Sequence, residues 1–151
     1  TRSSAIGSSA KRGSSSRPGM RLAFLCRMAR GTSYKDLTVW QVSMDLVDVC
    51  FDIVEALPLK YRFIFCDQLL PASISIPSNI AEGSRRTTKG YLNHLSYSLG
   101  SQAEVETVLE IIGRRELVPA PLLMKGVRLA EPVGKMLHGL VESLEQRDTR
   151  A

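Results

Sequence analysis

The chain has few of the cysteine, histidine and aromatic residues on which catalytic sites and disulfide-bonded extracellular proteins of this size depend. Its 151 residues include three cysteines, two histidines and one tryptophan, and only 6% are aromatic. Cys26, Cys50 and Cys66 are odd in number and far apart, so neither a disulfide framework nor a zinc motif is expected. No apolar run approaches the roughly 20 residues needed to span a membrane. We therefore expect a cytoplasmic protein with reduced thiols, no metal, no cofactor and no membrane contact.

Acidic residues are missing from the first 33 positions, which carry seven basic residues. From Tyr34 onward, 13 basic residues face 15 acidic ones, so the net charge of +5 belongs to this Ser-, Gly- and Arg-rich tail. Residues 1–33 are open to three interpretations: a flexible arm for polyanions, a targeting segment, or sequence upstream of a translation start at Met20 or Met28. Residues 34–147 are predicted to form one domain, and 148–151 a short C-terminal tail.

Helical periodicity predicts four helices and no strand after the tail. The predicted helices cover about 37–56, 59–82, 88–114 and, starting near Pro119 or Pro121, up to about 146. Asp36 is the expected N-cap of the first helix and Pro58 its stop, and Gly83 is the expected left-handed C-cap of the second. Because the links are short, the predicted fold is an all-α, antiparallel up-down four-helix bundle.

The first helix has more apolar surface than a bundle helix needs. One seam at helical spacing comprises Leu37, Trp40, Met44, Val47, Phe51 and Val54. A second seam comprises Val39, Val42, Leu46, Val49 and Ile53. Together they cover roughly 220° of the helix, whereas a single apolar stripe needs only somewhat over 100°. We predict that the second seam is an interface between copies; the alternative is a helix central to its own bundle.

The second helix carries a polar stripe inside an apolar segment. The stripe comprises Gln68, Ala72, Ser75, Asn79 and Glu82, spaced by 4, 3, 4 and 3 residues. Buried polar groups need partners, so the stripe is either a seam that fixes the helix register or a ligand site. Its predicted neighbour is the third helix, with Asn79 bonding near Ser98 or Ser101. Pro71 and Pro77 lie in the same helix, which we expect to be bent but continuous, although Pro71 could split it.

No catalytic constellation emerges from the sequence. His94 and His138 lie on different helices and are expected at the surface or its boundary. Paired acids can act as acid and base, but the row on the first helix (Asp45, Asp48, Asp52 and Glu55) lies on its polar face and is expected to be solvated.

The strongest candidate site is Arg85, Arg86 and Lys89, next to the start of the third helix. Three cations beside free amides would bind an anion such as an RNA or DNA phosphate. The alternative is an ordinary solvated turn.

One block resembles a known family. The run from Ser75 through Pro77, Asn79 and Glu82 to Gly83, preceded by Tyr34-Lys35-Asp36-Leu37 and followed by Leu99-Gly100-Ser101, is similar to the small proteins encoded in intervening sequences of bacterial 23S rRNA genes. The accessory protein of diversity-generating retroelements is related to them. The resemblance implies a four-helix bundle in a closed homo-oligomeric ring, five-fold in the family, without known catalytic activity. Relatives usually carry basic residues where this chain has Leu70 and Pro71, so any anion contact made there does not transfer.

These observations predict a non-enzymatic binding or assembly module. Its expected partners are further copies of itself, forming a pentamer, and RNA or a nucleic-acid-handling protein. The alternative is a protein-binding scaffold without nucleic-acid contact.

Overall fold

The computed structural model describes residues 33–150, which form four long helices and no strand. A 3-10 turn at Tyr34–Asp36 precedes α1 (Thr38–Ala56), α2 (Leu59–Gly83), α3 (Thr88–Arg114) and α4 (Ala120–Asp148). The all-α prediction is confirmed. The interpretations of the basic tail concern residues that, apart from Ser33, lie outside the described part of the chain.

The four helices pack in a cycle around one core. α1 packs against α2 and α4, and α3 packs against the same two helices from the other side. The largest fully buried side chains are Leu46, Ile53, Leu57, Leu69, Ile76, Ile80, Leu95, Val105, Leu109, Ile112, Val133 and Leu137. Within residues 33–150, no helix is both long and apolar enough to cross a membrane.

The start of α1 differs from the prediction. Asp36 lies in the 3-10 turn, where its carboxylate accepts from the Ser33 amide at 3.1 Å and the Ser33 hydroxyl accepts from the Lys35 amide at 3.3 Å. The N-cap of α1 is Leu37, which makes no side-chain cap bond. Asp36 is therefore used to close the turn before the helix.

The two prolines of α2 do not interrupt it. Pro71 and Pro77 both lie inside one continuous helix, as predicted. The predicted left-handed cap is wrong, because Gly83 is the last helical residue and Ser84 follows it in the right-handed region. The left-handed residue lies instead after α3, where Glu116 has φ 51°. There the Leu117 amide donates to the Ile112 carbonyl at 3.1 Å, which closes α3 with a Schellman-type cap.

The second apolar seam of α1 does not have the role predicted for it. In the second seam Val39, Leu46, Val49 and Ile53 are 0–6% exposed and Val42 is half-buried, so this seam lies in the core of a single chain. It cannot be the interface between copies that the sequence analysis assigned to it. The first seam keeps the surplus apolar surface, because two of its residues remain exposed.

Candidate functional site

Two residues of the polar stripe of α2, Ser75 and Asn79, form a hydrogen-bonded seam with α3. The Asn79 amide nitrogen donates to the Ser75 carbonyl and to the Ser75 hydroxyl, each at 3.0 Å. The Ser101 hydroxyl of α3 donates to the Ser75 hydroxyl at 2.9 Å. One turn away, the Ser98 hydroxyl donates to the Ile76 carbonyl at 3.0 Å. Four polar side chains thus find partners between the two helices.

His94 completes the seam and was not predicted to do so. Its Nδ1 lies 2.9 Å from the Asn79 side-chain oxygen. Because the amide nitrogen of Asn79 is directed at the Ser75 carbonyl, which can only accept, the amide oxygen faces His94 and Nδ1 must donate. Asn79 therefore pairs with His94 rather than with a group near Ser98 or Ser101. The sequence contains a signal for this contact, because His94, Ser98 and Ser101 are spaced by 4 and 3 residues and form a stripe matching that of α2.

Gly83 lies where α2 and α3 approach closely. A β-carbon at this position would be 2.6 Å from Cδ2 of Tyr91 and 2.8 Å from Cβ of His94. Both distances are far below a normal carbon contact, so only glycine fits without moving α3. Gly83 is thus needed for helix packing rather than for a left-handed cap.

The basic cluster lies in the link that follows, at the same end of the seam. Arg85, Arg86 and Lys89 are all exposed, and the Thr87 hydroxyl caps α3 by accepting from the Gly90 amide at 3.3 Å. Arg86 pairs with the Glu82 carboxylate at 3.0 Å, with both side chains more than half exposed. The same carboxylate oxygen lies 3.8 Å from Nε2 of His94. The polar seam and the basic turn are therefore connected through Glu82.

The match to known proteins covers this whole region. Residues 35–139 match the 23S rRNA-intervening sequence proteins, which is more than half of the chain. The chain belongs to this family. A search of curated proteins gave no match.

All five residues of the motif block lie within the part of the chain that matches the family, and the structure gives each a place. Ser75 and Asn79 form the seam, and Pro77 is buried. Glu82 pairs with Arg86, and Gly83 lets α3 approach. In this family member the block is accounted for by helix packing, which favours the structural interpretation of the stripe over a ligand site.

The titratable groups with strongly shifted pKa values lie in the core. Burial raises the pKa of the Cys50 thiol to about 12, although a hydrogen bond with Ser73 opposes the shift. Burial alone raises the pKa of Tyr91 to about 12. Both groups are therefore neutral at physiological pH, and among residues 33–150 no charged group contributes to either shift.

Two surface grooves lie between helices of this family member. A groove of about 500 Å³ between α2 and α3 is mostly apolar, with Ile64, Val108 and Ile111 in its wall. A second groove, of about 440 Å³, lies between α1 and α4, with Asp45 and Asp48 on one side and Lys125 and Arg128 on the other. Among residues 33–150, no group of three or more His, Cys, Asp or Glu could hold a metal ion.

Proposed function

We propose that this protein is a non-enzymatic binding and assembly module that contacts RNA or a ribonucleoprotein through Arg85, Arg86 and Lys89. The observation that carries the proposal is the placement of these cations. They lie within five positions at the start of a 27-residue helix, and the link from Ser84 to Thr87 contains no acid. Unpaired amides and the helix dipole favour an anion at such a helix start.

The pairing of Arg86 with Glu82 does not block this role. Exposed ion pairs of this kind are worth about 0–1 kcal/mol, so a phosphate can displace the carboxylate at little cost. Arg85 and Lys89 make no ion pair within the described part of the chain and are directly available. Repeated in several subunits, the turn would give a basic rim with strongly salt-dependent affinity.

The bundle is proposed to run alternately up and down. Between α2 and α3, Ser75 meets Ser101 and Asn79 meets His94, so residue numbers rise along one helix as they fall along the other. Between α3 and α4, Gln102 donates to the Ala130 carbonyl at 3.1 Å, and a β-carbon on Gly113 would lie 2.8 Å from Leu123. These pairs support antiparallel neighbours, and in this arrangement the basic turn would lie at one end of the bundle.

Self-assembly is part of the proposal. We propose that copies form a closed ring, with five subunits as the resemblance implies. Support comes from exposed apolar side chains, among which Leu59, Phe63 and Ile64 are 80%, 76% and 59% exposed. The free thiols of Cys50 and Cys66 fit a reducing compartment such as the cytoplasm.

The test of RNA contact is a mobility-shift titration of the full chain with a structured RNA at several salt concentrations. In the test variant Arg85, Arg86 and Lys89 are all changed to Gln. In the matched control Arg114, Lys125 and Lys135, which are exposed elsewhere on the bundle, are changed to Gln. If the turn makes three phosphate contacts, the slope of log K against log salt should fall by about 2–3 in the test variant alone.

Equal loss in both variants would show that binding follows net charge, and the turn would have no special role. Unchanged binding in the test variant would remove the turn from the proposal and leave the basic tail as the contact.

The second candidate function is a protein-binding scaffold without nucleic-acid contact. The exposed apolar side chains that support self-assembly also favour this candidate. Absence of any RNA binding at low salt would select it.

A further inference from the structure

The structure separates the two tyrosines that follow the basic turn on α3. Tyr91 is 6% exposed and its ring lies against Gly83, so it is closed to a ligand. Tyr97, six residues further along α3, is 57% exposed. Of the two tyrosines of α3, only Tyr97 can therefore contact a molecule bound at the surface.

Tyr97 lies on the same exposed face of α3 as a cation of the basic turn. Lys89, Asn93 and Tyr97 follow one another at intervals of four residues, and all three are exposed. A rise of 1.5 Å per residue places Lys89 and Tyr97 about 12 Å apart along the helix axis. A few consecutive nucleotides of an extended strand can span this distance.

The surroundings of Tyr97 leave its ring accessible and restrain it. One turn further along the helix is Gly100, where a β-carbon would have nothing within 4 Å. On the side of α2, the His94 ring meets the Tyr97 ring in a T-shaped contact, with centroids 6.3 Å apart and planes at 79°. His94 is itself held by Asn79 at 2.9 Å, so the contact limits the rotation of Tyr97. A side chain that is already restrained loses less conformational freedom when a ligand binds.

The charge along this part of α3 favours an anionic ligand. From residue 84 to residue 103 the chain contains the three cations of the basic turn and no acidic residue. The Glu82 carboxylate, which precedes this stretch, is paired with Arg86 at 3.0 Å. The first carboxylate that follows is Glu104, about two turns beyond Tyr97. Cations beside an exposed aromatic ring are the combination that binds single-stranded nucleic acid, because the cations hold phosphates while the ring stacks on a base.

We infer that Tyr97 stacks on an unpaired base of an RNA strand whose phosphates are held by Arg85, Arg86 and Lys89. The inference rests on the RNA contact proposed above. In a duplex the bases stack on one another, whereas the unpaired bases of loops and single strands can be splayed onto aromatic side chains. The ligand is therefore a single strand or the loop of a structured RNA rather than a continuous duplex. Because every base has a π face, the site should tolerate different sequences.

The test compares binding of the full chain to a single-stranded RNA and to an RNA duplex of the same length by fluorescence anisotropy. Tyr97→Ala should weaken single-strand binding by about 5- to 150-fold, the range of one base–aromatic stack, and should leave duplex binding nearly unchanged. Tyr97→Phe keeps the ring and should retain the affinity of the wild type. The matched control is Ile111→Ala, which removes an exposed apolar side chain from the same helix about four turns away and should change neither affinity.

Salt dependence separates stacking from phosphate contact. Tyr97→Ala removes no charge, so its affinity should fall at every salt concentration while the slope of log K against log salt stays that of the wild type. A strand of abasic nucleotides provides a second control, because it keeps the phosphates and lacks the bases. The wild type and Tyr97→Ala should bind this strand equally.

The possible outcomes distinguish this inference from the RNA contact on which it rests. Absence of RNA binding by the wild type would overturn both. Binding that is lost with the cations of the turn but is equal in the wild type and Tyr97→Ala would overturn the inference alone, leaving Tyr97 as a contact for a protein partner. Equal weakening of single-strand and duplex binding in Tyr97→Ala would also overturn it, because the ring would then not distinguish unpaired bases.

Discussion

The α2–α3 seam and the exposed apolar side chains at the start of α2 lie on two different faces of the same helix. Along the seam, Ser75 and Asn79 meet polar partners on α3. On the other face of α2, Leu59 and Phe63 are about four-fifths and three-quarters exposed. The comparison shows that polar side chains of α2 specify its neighbour within the chain, whereas its exposed apolar side chains play no part in the core of the described residues.

The largest expected effect on stability concerns the difference in burial between the two apolar seams of α1. Ile53→Ala should cost about 2–5 kcal/mol of unfolding free energy, because Ile53 is fully buried and the surrounding core collapses only partly. Phe51→Ala removes a larger side chain that is 43% exposed and should cost clearly less in the monomer. Urea unfolding at a low protein concentration measures both. Equal costs would mean that the two seams are buried alike.

The next effect concerns the close approach at Gly83. Gly83→Ala should destabilise the protein by about 1–3 kcal/mol, because the new methyl group would overlap the Tyr91 ring. Gly100→Ala is the matched control in α3, where a β-carbon has nothing within 4 Å. It should stabilise the protein by up to about 1 kcal/mol through helix propensity. Thermal unfolding of both variants tests the pair, and a stabilised Gly83 variant would contradict the packing described here.

The smallest expected effect concerns the hydrogen bond between Asn79 and His94 in the α2–α3 seam. A double-mutant cycle of Asn79→Ala and His94→Ala should give a coupling energy of about 0.5–1.5 kcal/mol, the range of a net hydrogen bond. Ser78 is the control, because its hydroxyl donates to the Ile74 carbonyl of its own helix. The cycle of Ser78→Ala with His94→Ala should give no coupling. Coupling of the same size in both cycles would show that the Asn79–His94 bond is not what is measured.

The helix content could be predicted from the sequence, since long 3.6-residue periodicity bounded by Pro58, Gly83 and Pro119 leaves few alternatives. The position of the basic turn could also be predicted, because its three cations lie at the junction of two strongly periodic segments. What the sequence could not decide was which seam of α1 faces the core. Periodicity gives the angle between two apolar faces but not the position of the neighbouring helices.

The partner of Asn79 was missed for a related reason. Matching the stripe of α2 to α3 requires the relative register of two helices, which depends on the length and geometry of the link. Asp36 illustrates a local ambiguity, since a carboxylate can cap either the 3-10 turn or the helix that follows. Both errors arise where two arrangements satisfy the same local rule.

The missing side chain at Gly83 has a consequence for how binding experiments on this protein must be designed. It lets α3 pack directly against the end of α2, beside the link that carries Arg85 and Arg86. Any substitution that fills the space would move α3 away from α2 and shift the cations of the link with it. Weakened ligand affinity in such a variant would therefore report altered spacing, and only substitutions further along the link can reveal direct contact.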